Sequence, residues 1–266
     1  MNGGLKELLP DNRDIQLGFL TKLPPLSDLP ETFNLGEIEI KDQGETDYCT
    51  AYATCYASEF QEKTELLPEW SFAVSKHISG DVDEWGQDLR TACKSHQKYG
   101  AIEKREIPEN ERYLSSWPDL FSQAIKHKKR SYTKITGHYD HYDNIRASIY
   151  YFRNEKRAIV LGVEWGWPLD QEIIDDIKPG FGHALCAIGW SRTGLIVLNS
   201  AGKEAGNKGI HIITRNVINY YVDKYGAFMF IDYTPDSLRY MIYNKIELRD
   251  NWVIQLFKAV KVFIFG

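Results

Sequence analysis

The sequence predicts an α+β protein of two lobes, helical in its front half and mainly β in its back half. Three observations predict this. Apolar residues recur at helical spacing from Asp47 to Leu66 and in the segments that follow. Short runs rich in β-branched residues crowd the chain after Ser131. The two patterns occupy separate halves of the chain, which suggests an α+β protein with two lobes.

The elements follow in order. Residues 1–28 read as an extended leader, because Pro10, Pro24 and Pro25 break any long helix. Such a leader either wraps over the folded body or stays partly mobile. From Asp47 to Leu66, residues Cys49, Tyr52, Ala53, Tyr56 and Phe60 share one helix face, with Asp47 as the expected N-cap. A second helix is expected over about Trp85–Tyr99, stopped by Gly100, and a third over about Pro118–His127. Strands are expected at Ser131–Gly137, Ala158–Glu164, His183–Trp190, Leu195–Ser200, Ile210–Thr214 and Phe228–Tyr233, with a helix at Asn144–Arg153. The expected main domain is 29–235, mainly helical over about 47–130 and mainly β over about 131–235. Residues 236–266 form an apolar extension, read as a broad helix or strand.

Composition narrows the function. The chain has 266 residues, 43% of them hydrophobic, enough for one large core or two packed lobes. A net charge of −5 gives no reason to expect nucleic acid as a partner. Four cysteines without a CxxC pair argue against a zinc ribbon or a disulfide scaffold, and no metal or cofactor is expected. No signal peptide or membrane-spanning run is visible, so a reducing setting is expected, cytoplasmic or virion-associated.

Cys49 is expected in the first turn of its helix. The helix dipole there favours a thiolate, which attacks carbonyl carbon where a thiol does not. Cys55, Cys93 and Cys186 read as small core residues. Of seven histidines, His183 stands out because it opens an apolar strand. His77, His96, His127, His138, His141 and His211 read as ordinary core or surface histidines.

The segment Gln43-Gly44-Glu45-Thr46-Asp47-Tyr48-Cys49 resembles the active-site segment of papain-like cysteine peptidases (family C1), particularly bacterial and viral members without a long propeptide. Gly182-His183-Ala184 and Leu198-Asn199-Ser200 are similar to that family's His and Asn strands. They lie 134 and 150 residues after Cys49, inside the family's spacing of about 130–150 residues. The resemblance spans about residues 9–235. It implies a helical left lobe and an antiparallel, barrel-like right lobe, with the active site in the cleft between them. It further implies Cys49 as nucleophile, His183 as general base, Asn199 as the residue orienting the base, and Gln43 as an oxyanion donor.

Trp85, Gly86 and Gly182 fall where substrate would run, with Trp165 and Trp167 toward the far side of His183. Three departures stand out. Thr50 replaces the usual aromatic. Ala201 replaces the Trp that shields the Asn–His pair. Thr46 replaces a half-cystine.

The resemblance implies an endopeptidase acting on a peptide or protein substrate. The alternative is a catalytically weak or inactive papain-like component of a virion or other assembly. Acyl transfer to an amine, as in transglutaminase-like enzymes, fits the Gln43 and Asn199 spacing less well. Residues 245–266 are a candidate contact with a protein assembly or membrane surface. A leader of this length is too short for a long helical propeptide, which leaves open a short segment crossing the cleft.

Overall fold

The computed structural model describes residues 3–104 and 117–231, and the expectations for residues 232–266 fall outside them. Among the described residues, seven α-helices and eight strands make a mixed α+β fold. The leader carries a short helix α1 (Leu17–Leu20), and β1 (Phe33–Asn34) follows it. The front half then supplies α2 (Cys49–Glu62), α3 (Pro68–Ser79), α4 (Leu89–Lys98) and α5 (Trp117–Ala124). The back half supplies β2 (Ser131–Lys134), α6 (His141–Tyr151), β3 (Ile159–Trp165), β4 (Ile173–Ile174), β5 (Phe181–Trp190), β6 (Leu195–Leu198), β7 (Ile210–Ile213), α7 (Arg215–Tyr225) and β8 (Ala227–Ile231).

The strands form one sheet in the order β2-β8-β3-β5-β6-β7-β4, with β1 added beside the far end of β5. All pairings are antiparallel except the two-residue β4–β7 pair. α2 and α7 pack on β3, so β3 is covered on both faces. Its unbroken apolar run Ile159–Val163 reflects that double burial.

The helix boundaries differ from expectation for local reasons. α2 starts at Cys49 with Tyr48 in the N-cap position, and Asp47 does not cap it. The Asp47 carboxylate instead accepts the backbone N–H of Gly86. α2 ends at Glu62 because Lys63 turns left-handed, and Glu59 takes the N–H of Leu66. The helix expected from Trp85 begins only at Leu89, where Asp88 caps it through the N–H of Thr91 at 3.0 Å. Gly86, at φ +72°, cannot be helical. The helix expected from Asn144 begins earlier, at His141, capped by Asp140 through the N–H of Asp143.

One irregularity positions the site. Four residues, Ser191–Gly194, join β5 to β6 with Trp190 opposite Leu195. A regular ladder from that even-length turn would put His183 and Asn199 on opposite faces. Ile188 bulges out between Ala187 and Gly189, so Cys186 faces Leu198. The one-residue shift brings Asn199 to the face that carries His183.

Candidate active site

Cys49 sits in the first turn of α2 with its side chain fully buried. The backbones of Ala184, Gly4 and Thr50 are near enough to its sulfur to act on the thiol's acidity. α2 packs against β5, the strand that carries both His183 and Ala184. A thiol from the helical lobe therefore meets the strand that carries the imidazole. Burial pushes the Cys49 thiol up to about 11, against the opposing pull of those backbone groups. The helix dipole alone does not produce the lowered thiol expected from the sequence.

His183 is also fully buried. Its Nε2 lies 2.8 Å from Asn199 Oδ1, while its Nδ1 makes no hydrogen bond. Burial holds the ring down to about 4, with Asn199 acting in the opposite direction. In this closed arrangement the thiol and the imidazole are therefore both neutral. Asn199 Oδ1 also accepts the N–H of Ser200 at 2.8 Å.

Gln43 joins the same network. Its amide donates to Thr46 O at 2.7 Å and accepts from Ser200 Oγ at 2.6 Å, and its backbone N–H bonds Ser200 O at 2.8 Å. The segments carrying Gln43 and Asn199 are thus tied directly together. Thr46 closes the turn by donating to Gln43 O. All four cysteines are free thiols.

The start of the leader bridges the front and back halves of the chain, between Gln87 and Gly182. Leu5 N–H donates to Gly182 O at 3.0 Å, Gln87 N–H to Gly4 O at 2.7 Å, and Lys6 N–H to Gln87 O at 3.1 Å. The Trp85 indole N–H donates to Gly3 O. Trp85, Gly86 and Gly182 all border this segment, but Trp85 is 57% exposed and offers a polar N–H, not a closed apolar pocket. A Cβ on Gly4 would fall 1.9 Å from Asp47 O, so only glycine passes there. The Leu5 side chain rests over Gly162, where a Cβ would lie 2.4 Å from its Cδ2. Lys6 pairs with Asp81 at 2.6 Å and Glu84 at 2.7 Å.

Trp165 and Trp167 are buried and stack edge-on at 5.6 Å, so they form part of the core behind His183 and do not line a groove. Sequence reasoning did not single out Gly4 and Leu5. The signal for them is Gly3-Gly4-Leu5 itself, two residues without side chains followed by a large apolar one.

Comparison with solved structures places this architecture. The chain is similar to xylellain, a cysteine protease from Xylella fastidiosa, with a TM-score of 0.68 at 19% identity over 87% of this chain and 96% of that one. The fold is that of the papain-like cysteine proteases. Digestive procathepsin L 3 of Tenebrio molitor aligns with a TM-score of 0.61 at 16% identity, covering 82% of this chain and 75% of that one. Bromelain from Ananas comosus aligns with a TM-score of 0.57 at 14% identity, covering 75% and 98%. No protein-family model matches the chain, and no curated protein matches it by sequence. Among the described residues, no helix of the papain-like fold is long and apolar enough to cross a membrane, and no cluster of side chains could hold a metal.

Proposed function

We propose that this chain is a cysteine endopeptidase that hydrolyses peptide bonds through an acyl-enzyme on Cys49. The observation that supports this most is the pairing at the lobe boundary. The helix that begins with Cys49 packs against the strand of His183, and His183 keeps Nδ1 unbonded while Asn199 holds Nε2.

The chemistry follows from those atoms. The Cys49 thiol gives its proton to His183 Nδ1, and the thiolate attacks the substrate carbonyl carbon. The resulting oxyanion lies toward the Cys49 backbone N–H and the Gln43 amide, which Thr46 and Ser200 hold in place. Collapse expels the amine, which takes the proton from Nδ1 and leaves a thioester. Water then gives a proton to Nδ1 and attacks the thioester. The acid product departs, and the proton returns to sulfur.

In this reading the leader holds the resting state. Leu5 forms an isolated parallel bridge with Gln87, and the backbone of Gly4 acts on the Cys49 thiol. Substrate therefore requires the leader's displacement. A second reading, a component with little turnover, is favoured by that leader contact together with Ala201.

Peptide hydrolysis separates the two readings. A variant lacking residues 1–8 is expected to cleave a peptide library. Cys49→Ala and His183→Ala in that background are expected to lose cleavage, and Gln43→Ala to lower kcat about 100-fold. Absence of turnover in every variant favours the second reading.

A further inference from the structure

Asn199 is held from two sides. Beyond His183 lies His211, on β7 opposite Val197 and fully buried. Its Nε2 lies 3.1 Å from Asn199 Nδ2, and its Nδ1 lies 2.8 Å from the carbonyl oxygen of Gln171. Trp165 packs edge-on against both imidazoles, at 4.8 Å from His211 and 5.6 Å from His183. On another side a Cβ at Gly206 would fall 2.8 Å from His211 Cε1 and Nδ1, so a glycine makes room for the ring.

Two backbone groups fix every proton in this chain. A carbonyl only accepts, so His211 Nδ1 must carry a hydrogen toward Gln171. In the neutral ring, Nε2 is then a bare acceptor, which suits an N–H of the Asn199 amide. At the other end Ser200 N–H only donates, so the amide atom it meets must be oxygen. That oxygen also faces His183 Nε2, which must therefore be the protonated nitrogen. His183 Nδ1 is left bare, on the side without a hydrogen bond.

We infer that His211 is a positioning residue: as a neutral, Nδ1-protonated ring anchored on Gln171, it locks the Asn199 amide so that His183 stays protonated on Nε2 and bare on Nδ1. His211 touches neither thiol nor substrate. It acts through Asn199, from the interior of the sheet. Cationic His211 would turn an N–H toward the Asn199 NH2 and oppose the lock. Burial lowers its basicity, while the Gln171 carbonyl and nearby Glu172 raise it, and His183 faces it across Asn199. The catalytic significance of this lock rests on the peptidase reading above, but the lock itself does not.

The test therefore has a readout that needs no turnover. ¹⁵N spectra of ring-labelled full-length protein at neutral pH are expected to show His211 protonated at Nδ1 and His183 at Nε2. Folded His211→Phe, which leaves the Asn199 amide held through its oxygen alone, is expected to lower the Nε2–H fraction of His183, and His211→Gln, which keeps an acceptor, to restore most of it. An Nε2–H or cationic His211, or an unchanged His183 in folded His211→Phe, overturns the inference. If His211→Phe fails to fold, the wild-type and His211→Gln spectra decide it. With the leader removed, His211→Phe should lower kcat about tenfold at nearly constant KM and move the alkaline limb of the rate profile to lower pH. A leader-free protein that cleaves nothing but keeps these tautomers defeats the peptidase reading and leaves the lock standing.

Discussion

Leu5→Ala tests whether the leader guards the thiol. The Leu5 side chain is 8% exposed and rests on Gly162 beside Tyr225, at the point where the segment crosses between Gln87 and Gly182. Truncating a buried leucine to alanine costs about 2–5 kcal/mol. Taking the low end, because a displaced strand collapses more easily than a core, about 2 kcal/mol falls on the closed state. At about 1.4 kcal/mol per factor of ten, the open population rises roughly 30-fold. Opening also hydrates the sulfur, which burial now pushes up to about 11, so the thiol becomes more acidic as it becomes accessible. Both effects have the same sign. The assay is the second-order rate of Cys49 alkylation by iodoacetamide at neutral pH, read by mass spectrometry, with a thermal melt to verify folding. A rate at least about 30-fold above wild type is expected. An unchanged rate in folded Leu5→Ala refutes the argument that this segment limits access.

Two further expectations concern the fold around the site. His96 is fully buried and held down to about 3 by that burial, and His183 down to about 4, against an ordinary 6.5. The unfolded chain takes up these protons first, so stability is lost as pH falls from about 6.5 toward 3, by up to about 1.4 kcal/mol per pH unit for each ring. His96→Gln should flatten that acid slope in urea unfolding, and an unaltered slope would remove His96 from the account. Lys76 is buried, and its ammonium donates to the carbonyls of Gly86 at 2.6 Å, Asp81 at 3.3 Å and Glu84, which shapes the loop bordering the cleft. Lys76→Met leaves those carbonyls without their donor and should cost about 2–4 kcal/mol in the same assay; a loss below about 0.5 kcal/mol would mean water replaces the ammonium.

Much of this architecture is legible in the sequence because its signals are local. The spacing of Cys49, Tyr52, Ala53, Tyr56 and Phe60 marks α2, and the β-branched run at Ile159–Val163 marks β3. α3 is harder to read, because Trp70, Phe72 and Val74 alternate as a strand would, and the burial of Trp70 and Val74 beside Ile102 and Ala124 overrides that pattern. α7 carries a readable signal in Val217, Ile218, Tyr221, Val222 and Tyr225, ended by Gly226. The register of His183 against Asn199 is not legible, since the even turn predicts opposite faces and nothing in Cys186–Gly189 announces the bulge. His211 is equally hidden. Its role depends on Gln171 and Asn199, which lie 40 and 12 residues away in the chain. The leader's path between Gln87 and Gly182 is a long-range choice of the same kind, and only Gly3-Gly4 hints at the close approach it requires.

The central claim is that Cys49 alone among the cysteines is primed by His183. A thiol-directed epoxide, incubated with the variant lacking residues 1–8 and followed by peptide mapping, tests it most directly. The account predicts stoichiometric modification of Cys49, none at Cys55, Cys93 or Cys186, and loss of modification in Cys49→Ala and His183→Ala. Labelling that persists in Cys49→Ala, or is indifferent to His183, contradicts it.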